Sequence, residues 1–520
     1  MFNAGTRLGI SINTKWALKV ALIITPIVAV LSKSLDNQQA DNLLPSFFST
    51  DNLTAFYWDQ KRYGSVHSFL AFPIQDIYWN LKFQVLLRIA SFVFLVAWIY
   101  SLFKRSAYGF IEASRLGTFL LVLGGFLFFF TDTGEALLFG ANAHPIAIPF
   151  ALLALSIVPV ATNPSTHLML KRTLFLASIF CLWGIAVWTS IFIVIWSPAL
   201  LSLQAFAINR EKRIPLRILG YWTAFNLFSA GVWALVLSEI AKRGGENTAY
   251  RIGTFFSEAF RKSYIGPFLT TSALMIVLIL IFMILRRTFL NYIFVLVAMS
   301  ITLLSVPVIA SSVHVQLYYY MPRYFGIPLL ITILVCAMTL FDLLVDQDSF
   351  KAHFPWKPRS SGLFIFLFFS LSSVVYLSSD IGYGEGRVDA SGFVNTGHSL
   401  SEEIAKGIEA AIGGKPDFVA GSYWYVWPIV FEYRSRDDDM IAITKKATRQ
   451  SDFRMLYDGS IWNGVCVGET IRCWGATINA QLNDSQLFSE IEAEVIGVLE
   501  DGTPVRLMQV SKYPIRRLER

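Results

Sequence analysis

Charge is what this sequence has little of. Only 15% of its 520 residues are Asp, Glu, Lys or Arg, against 55% hydrophobic, and the mean hydropathy is +0.54. A chain so short of charge cannot be an ordinary soluble enzyme. Histidine and cysteine are sparse too, at six and four residues. No His-x-x-x-His or Cys-x-x-Cys spacing occurs, which argues against a zinc site. There is no internal repeat and no low-complexity tract. The formal net charge of +7 sounds basic, but much of it sits in short loops between apolar runs. That is an orientation signal at a membrane, and no nucleic-acid partner is expected.

What the chain has in abundance is apolar and aromatic. Its 44 Phe and 14 Trp suit lipid-facing helices and interfacial belts. Runs of spanning character lie at 16–32, 83–103, 116–130, 145–161, 173–187, 190–208, 218–240, 265–285, 288–308, 324–344 and 361–379. The yardstick of about 20 mainly apolar residues per bilayer gives about eleven spans. The pair within 173–208 divides at Trp188-Thr189-Ser190. Arg7, Lys15, Lys104, Arg105, Lys171, Arg172 and the basic cluster at 210–217 fall on one side, whereas 131–144 and 188–190 hold no Lys or Arg. The amino terminus is therefore expected in the cytoplasm. The first run follows a basic segment without a clear small-residue cleavage site, and reads as a retained signal anchor.

An odd number of spans places residues 380–520 outside. The expected architecture is a polytopic α-helical membrane domain, 1–379, followed by a soluble extracytoplasmic α/β domain, 380–520. In the latter, 417–421 reads as strand and turn, Tyr423 to Tyr433 as a helix, Met440 to Thr444 as a strand, and 493–510 as a hairpin around Asp501-Gly502. Cys181 and Cys336 lie in apolar runs and read as small hydrophobes. Cys466 and Cys473 lie in a polar setting and read as a disulfide, which requires an oxidising compartment.

Polar chemistry gathers in the outer loops. The first, 33–82, carries Asp36, Asp41, Asp51, Asp59 and Asp76. A carboxylate there can act as general base toward an acceptor hydroxyl, hold a divalent cation, or simply be solvated. The stretch Asp41-Asn-Leu-Leu-Pro-Ser-Phe-Phe48 reads as a short amphipathic helix lying on the bilayer. Trp58, Asp59, Gln60, Arg62 and Tyr63 follow: aromatic faces stack on sugar rings, and Asp, Gln and Arg bind hydroxyls or phosphate. An interfacial aromatic belt explains the rings alone, but not so dense a run of polar groups.

The second outer loop, 131–145, adds Asp132, Glu135, Asn142 and His144; for His144, packing at a helix start is as good a reading as chemistry. The outward loop 241–264 breaks the charge rule with Lys242, Arg243, Arg251, Arg261 and Lys262 among aromatic residues. Such a cationic rim suits a lipid phosphate. Arg323 opens the run at 324–344, where it can snorkel or clamp a phosphate. The glycine-rich 382–386 follows a span and reads as a linker.

These pieces together resemble the GT-C superfamily of integral-membrane glycosyltransferases, in its bacterial form using polyprenyl-phosphate-linked sugars. The residues that carry the resemblance are Asp36 and Asp41 in a long loop after the first span, and the Arg323-Tyr324 pair opening a late span. With them goes Phe56-Tyr-Trp-Asp-Gln-Lys-Arg-Tyr-Gly64, similar to a Tyr-Trp-Gly-Gln-x-Arg-Phe-Gly stretch of uncharacterised bacterial members. The resemblance implies a catalytic acid in the first outer loop, Asp41 before Asp36, helped by Glu135 or Asp132. It also implies sugar and phosphate binding by Trp58, Asp59, Gln60, Arg62, Tyr63, His144 and Arg323. The chain departs from the pattern in having Asp59 where Gly is expected, and no Asp-Glu or Asp-x-Asp pair in the first loop. The implied partners are a lipid-linked sugar donor and membrane lipid, with a divalent cation as an option and no other cofactor. The implied location is the bacterial inner membrane. The competing expectation is a non-catalytic or transport component of envelope polysaccharide assembly.

Overall fold

The computed structural model describes residues 6–31, 40–50, 53, 66–103, 144–161, 168–210, 215–242, 265–285, 288–311, 325–345, 402, 404–410, 412–421, 423–436, 441–444, 462–467, 494–498 and 504–510. The molecule is mostly helical and divides into two compact units. One comprises residues 1–32 and 86–382, the other 33–85 and 383–520.

The first unit begins with strand β1 (Thr6–Ile10) and helix α1 (Ile12–Leu31). Ser11 caps α1, its Oγ accepting from the Thr14 N–H at 3.3 Å. Helix α4 (Ile77–Phe103) enters this unit from residue 86 on, after α2 and α3 of the second unit. There follow α5 (His144–Ser156), β2 (Ile157–Ala161), α6 (Leu168–Thr189), α7 (Ile193–Arg210), α8 (Leu216–Lys242), α9 (Ile265–Leu285), α10 (Phe289–Ala310) and α11 (Gly326–Val345). Among the described residues, three helices are long and apolar enough to cross a membrane: Ile77–Phe103, Leu216–Ile240 and Tyr292–Ala310.

One apolar run behaves differently from expectation. The 145–161 run is helical only to Ser156; Ile157–Ala161 is a strand paired antiparallel with β1, Thr6 opposite Ala161 and Ile10 opposite Ile157. The cause is local. Pro159 disfavours the helical conformation at Val158, and β-branched Ile157, Val158 and Val160 fit a strand. Helix α5, of 13 residues, is about 20 Å long, short of the roughly 30 Å hydrocarbon core. The Ser11 N–H donates to Ser156 O at 2.8 Å, so the start of α1 and the end of α5 lie side by side.

Tryptophans tie the helices together. Trp183 on α6 donates to Asn226 Oδ1 on α8 at 2.8 Å, and Trp222 on α8 donates to the Ile157 carbonyl at 2.7 Å. Trp233 donates to the Phe180 carbonyl at 2.9 Å, and its ring lies over Gly184 so closely that a Cβ there would come within 2.6 Å. Each indole thus satisfies its N–H inside an apolar bundle, where an unpaired donor is costly. On α10 and α11, Thr332 and Thr302 hydroxyls meet at 3.0 Å. Outward, the helices show Leu18, Leu22 and Ile27 of α1, Phe228 and Leu235 of α8, and Leu290 and Leu304 of α10 to their surroundings. So much exposed apolar surface suits lipid rather than water.

The second unit contains α2 (Ala40–Thr50), α3 (Val66–Ala71), the first turns of α4, and a five-stranded sheet. The strands are β3 (Phe418–Gly421), β4 (Ile441–Thr444), β5 (Trp462–Val467), β6 (Glu494–Val498) and β7 (Pro504–Val510), in the order β4-β3-β5-β7-β6. β4 and β5 flank β3 in parallel, while β5–β7 and β7–β6 are antiparallel. Helix α12 (Tyr423–Arg434) connects β3 to β4 and packs on both. A crossover helix is what two parallel neighbours require. The strands at 418–421, 441–444, 494–498 and 504–510 fall where the sequence pattern puts them; β5, inside the sheet, has no counterpart in that reading. Cys466 lies in β5, while Cys473 is outside the described residues, as is the hairpin turn at 499–503.

Candidate functional site

The corner where α2 and α3 meet the start of α4 is the best-built polar feature among the described residues. Asp76 starts it as the N-cap of α4, its Oδ1 accepting from the Trp79 N–H at 2.8 Å. One turn on, Asn80 is fully buried, with Nδ2 reaching Ser49 Oγ at 2.8 Å, Ala71 O at 3.0 Å and Ile74 O at 2.8 Å. Its Oδ1 accepts from Gln84 Nε2 at 2.7 Å. Ser49 Oγ donates to Ser68 O at 2.8 Å, and Ser68 Oγ to Pro45 O at 3.0 Å. Helices α2, α3 and α4 are thereby laced by one buried network. Such a network fixes geometry, because breaking a member strands a desolvated partner.

Along α4 the polar residues continue at helical spacing. Asn80, Gln84 and Arg88 fall at i, i+4 and i+8, and Ser91 follows; all four are buried on a helix long and apolar enough to cross a membrane. Arg88 is about 17 Å along the helix axis from Ile77 at 1.5 Å per residue. It is 1% exposed. Burying a guanidinium on such a helix is costly unless partners compensate its charge. Its chemistry is donor-only and fork-shaped, matched to phosphate or carboxylate. The Gln84 Oε1 has no hydrogen-bond partner among the described residues. Two more ionisable side chains are buried in the second unit, His67 on α3 and Glu432 on α12.

Of the site residues expected from the sequence, Asp41 is the second residue of α2 and His144 the first residue of α5. Asp36, Trp58, Asp59, Gln60, Arg62, Tyr63, Asp132, Glu135 and Arg323 lie outside the described residues. The loop 243–264 does too, with Lys242 ending α8. Asp76, one of the five loop acids, is an exposed cap. The amphipathic stretch beginning at Asp41 does form a helix, but its apolar residues do not lie open to a bilayer. Leu43, Leu44, Phe47 and Phe48 are all buried, and Phe47 packs on Trp427 and Phe431 of α12. Among the described residues no group of three or more His, Cys, Asp or Glu side chains is placed to hold a metal.

The α4 stripe and the buried Glu432 are what sequence reasoning missed. The stripe had a signal, polar residues every fourth position where an apolar run begins, but a span started at 83 puts Asn80 in the loop and passes over Arg88. No protein-family model matches the chain, and no curated protein matches it significantly.

Proposed function

We propose that this chain is a polytopic membrane glycosyltransferase of the GT-C kind, moving a sugar from a polyprenyl-phosphate donor to an envelope glycan, lipid or protein acceptor on the outer side of a bacterial inner membrane. The observation that carries the reading is the laced α2–α3–α4 corner. The loop expected to hold the catalytic acid has a fixed hydrogen-bonded frame, with Asp41 on one of its helices. A base must be held within reach of the hydroxyl it deprotonates, and a rigid support achieves that. In this reading Asp41 is the general base, with Asp36 behind it and Asp132 or Glu135 assisting. Trp58, Asp59, Gln60, Arg62, Tyr63 and His144 hold sugar, and Arg323 the phosphate; Arg88 joins them as a second cation for the lipid-borne anion. A divalent cation held by the loop acids is compatible with it.

The topology that goes with this function has about eleven spans, the amino terminus in the cytoplasm and residues 380–520 outside. The test is transfer from a lipid-linked donor by the Asp41→Asn, Asp36→Asn double variant. Full activity rejects the assignment.

A second reading has one observation of its own. Carriers keep polar groups within their membrane helices, and Gln84, Arg88 and Ser91 are such groups on α4. Few charges lie within the apolar runs, which favours an enzyme over a carrier; Arg88 weakens that argument. A non-catalytic or transport component of envelope polysaccharide assembly would show substrate flux without transfer, abolished at Arg88 and indifferent to Asp41.

A further inference from the structure

The buried network of the loop corner has an outer side. Helix α3 buries Val66, His67, Ser68 and Ala71, and leaves Phe69 and Leu70 exposed. Phe72 follows at 48% exposure, and Trp79, in the first turn of α4, at 61%. Four large apolar side chains are thus held out on a tight turn, immediately before a helix long enough to cross a membrane. We propose that this turn is a bilayer wedge, inserted at the boundary between phospholipid headgroups and acyl chains.

The backbone makes the case that side-chain exposure alone would not. A turn seated at the edge of the hydrocarbon has less water to serve its carbonyls, so internal donors favour it there. Four carbonyls of this turn have such donors. Ser68 O accepts from Ser49 Oγ at 2.8 Å, and Ala71 O from Asn80 Nδ2 at 3.0 Å and the Ile74 N–H at 2.8 Å. Phe72 O accepts from Gln75 Nε2 at 2.6 Å, and Ile74 O from Asn80 Nδ2 at 2.8 Å. A solvated surface loop needs no such set, since water would serve. Lys82 fixes the depth: its Nζ stands 4.1 Å from the centroid of the Tyr78 ring and 5.5 Å from that of Trp79. Aromatic rings with a lysine are the usual markers of the headgroup level. The occupant is lipid rather than a protein because the patch immediately precedes a helix long and apolar enough to cross a membrane, at the end where such a helix meets headgroups. The inference stands apart from the glycosyltransferase reading and needs no reaction.

The test places a photo-crosslinking residue, p-benzoylphenylalanine, singly at Phe69, Leu70 or Phe72 of the full chain. The chain is reconstituted in nanodiscs of phosphatidylethanolamine and phosphatidylglycerol. Lys406, exposed and paired to Glu402 at 2.8 Å, is the water-facing control. Mass spectrometry after irradiation is expected to find phospholipid adducts at all three turn positions and none at Lys406. Adducts to another protein chain, or none at the turn positions, overturn the proposal. Because these side chains already point outward, the substitutions leave the packed side of the corner intact.

Discussion

The ring of Phe47 on α2 lies 4.9 Å from the ring of Trp427 on α12, the two planes inclined at 53°. Phe431, one turn further along α12, meets the same phenyl edge-on at 6.2 Å. This contact joins a segment near residue 45 to one near residue 430 inside a single compact unit. Helix α2 is therefore not a free excursion of the chain. It shares a hydrophobic core with the helix that crosses over the five-stranded sheet.

Phe47→Ala is expected to destabilise this unit by about 3–5 kcal/mol, the range for deleting a buried phenyl ring. A double-mutant cycle with Trp427→Ala should show a coupling of about 0.5–1.5 kcal/mol. Chemical denaturation in detergent, followed by near-ultraviolet circular dichroism, measures both. Additive effects would mean the two rings touch without supporting one another.

Asn80 gives a prediction of order. Asn80→Leu leaves the Ile74 carbonyl without its donor and the Ala71 carbonyl with the Ile74 N–H alone, at about 1–3 kcal/mol for the group stranded. Asn80→Asp should cost more, because a carboxylate would face those carbonyl oxygens at the distances Nδ2 now occupies. Thermal unfolding that ranks Asp above Leu at this position would contradict the hydrogen-bond assignment.

Gly184→Ala should destabilise the α6–α8 contact by about 1–3 kcal/mol, the usual cost of overpacking. The added methyl would stand 2.6 Å from Trp233 Cε2 and push the indole from the Phe180 carbonyl. A shift in the Trp233 contribution to fluorescence, compared with a Trp233→Phe control, reports the displacement. An unchanged spectrum and melting point would mean the bundle absorbs the methyl elsewhere.

The loop aspartates should divide by role. Asp76→Ala removes a helix cap and is expected to lower stability by about 1 kcal/mol. Transfer activity should be retained. On the glycosyltransferase reading, Asp41→Asn does the opposite, lowering turnover by about 10²–10⁴-fold with an unchanged melting point. Equal loss of activity in both variants would point to general damage to the loop.

Arg88→Lys tests the α4 stripe. It keeps the charge but loses the planar fork that binds phosphate oxygens in pairs. The expected outcome is a raised KM for a polyprenyl-phosphate sugar with kcat little changed. The same substitution with a phosphate-free donor analogue should show no such change.

Much of the helical framework is legible in composition alone. The apolar runs beginning near 16, 83, 173, 190, 218, 265, 288 and 324 each coincide with a helix, because twenty apolar residues in a row leave few alternatives. The break at Trp188-Thr189-Ser190 falls where α6 ends. The run at 145–161 shows the limit. Apolar content cannot separate a buried strand from a helix, and only Pro159 and the β-branched cluster hint at the change. β1 is hard to read for a related reason: the alternation of Thr6, Leu8 and Ile10 with Arg7 and Gly9 is only five residues long, and what makes it a strand is a partner far along the chain. For the candidate site, the α2 helix could be read from its sequence but not the destination of its apolar face, since Phe47 says nothing locally about Trp427. The Asn80–Gln84–Arg88 spacing was in plain view and was hidden only by the hydrophobicity around it.

The β1–β2 ribbon imposes an order on biogenesis. Its first strand is synthesised roughly 150 residues before its second, about ten to thirty seconds at ordinary elongation rates. Until then Thr6–Ile10 must wait as a lone edge, and the first helix goes without the clasp that later fastens its base.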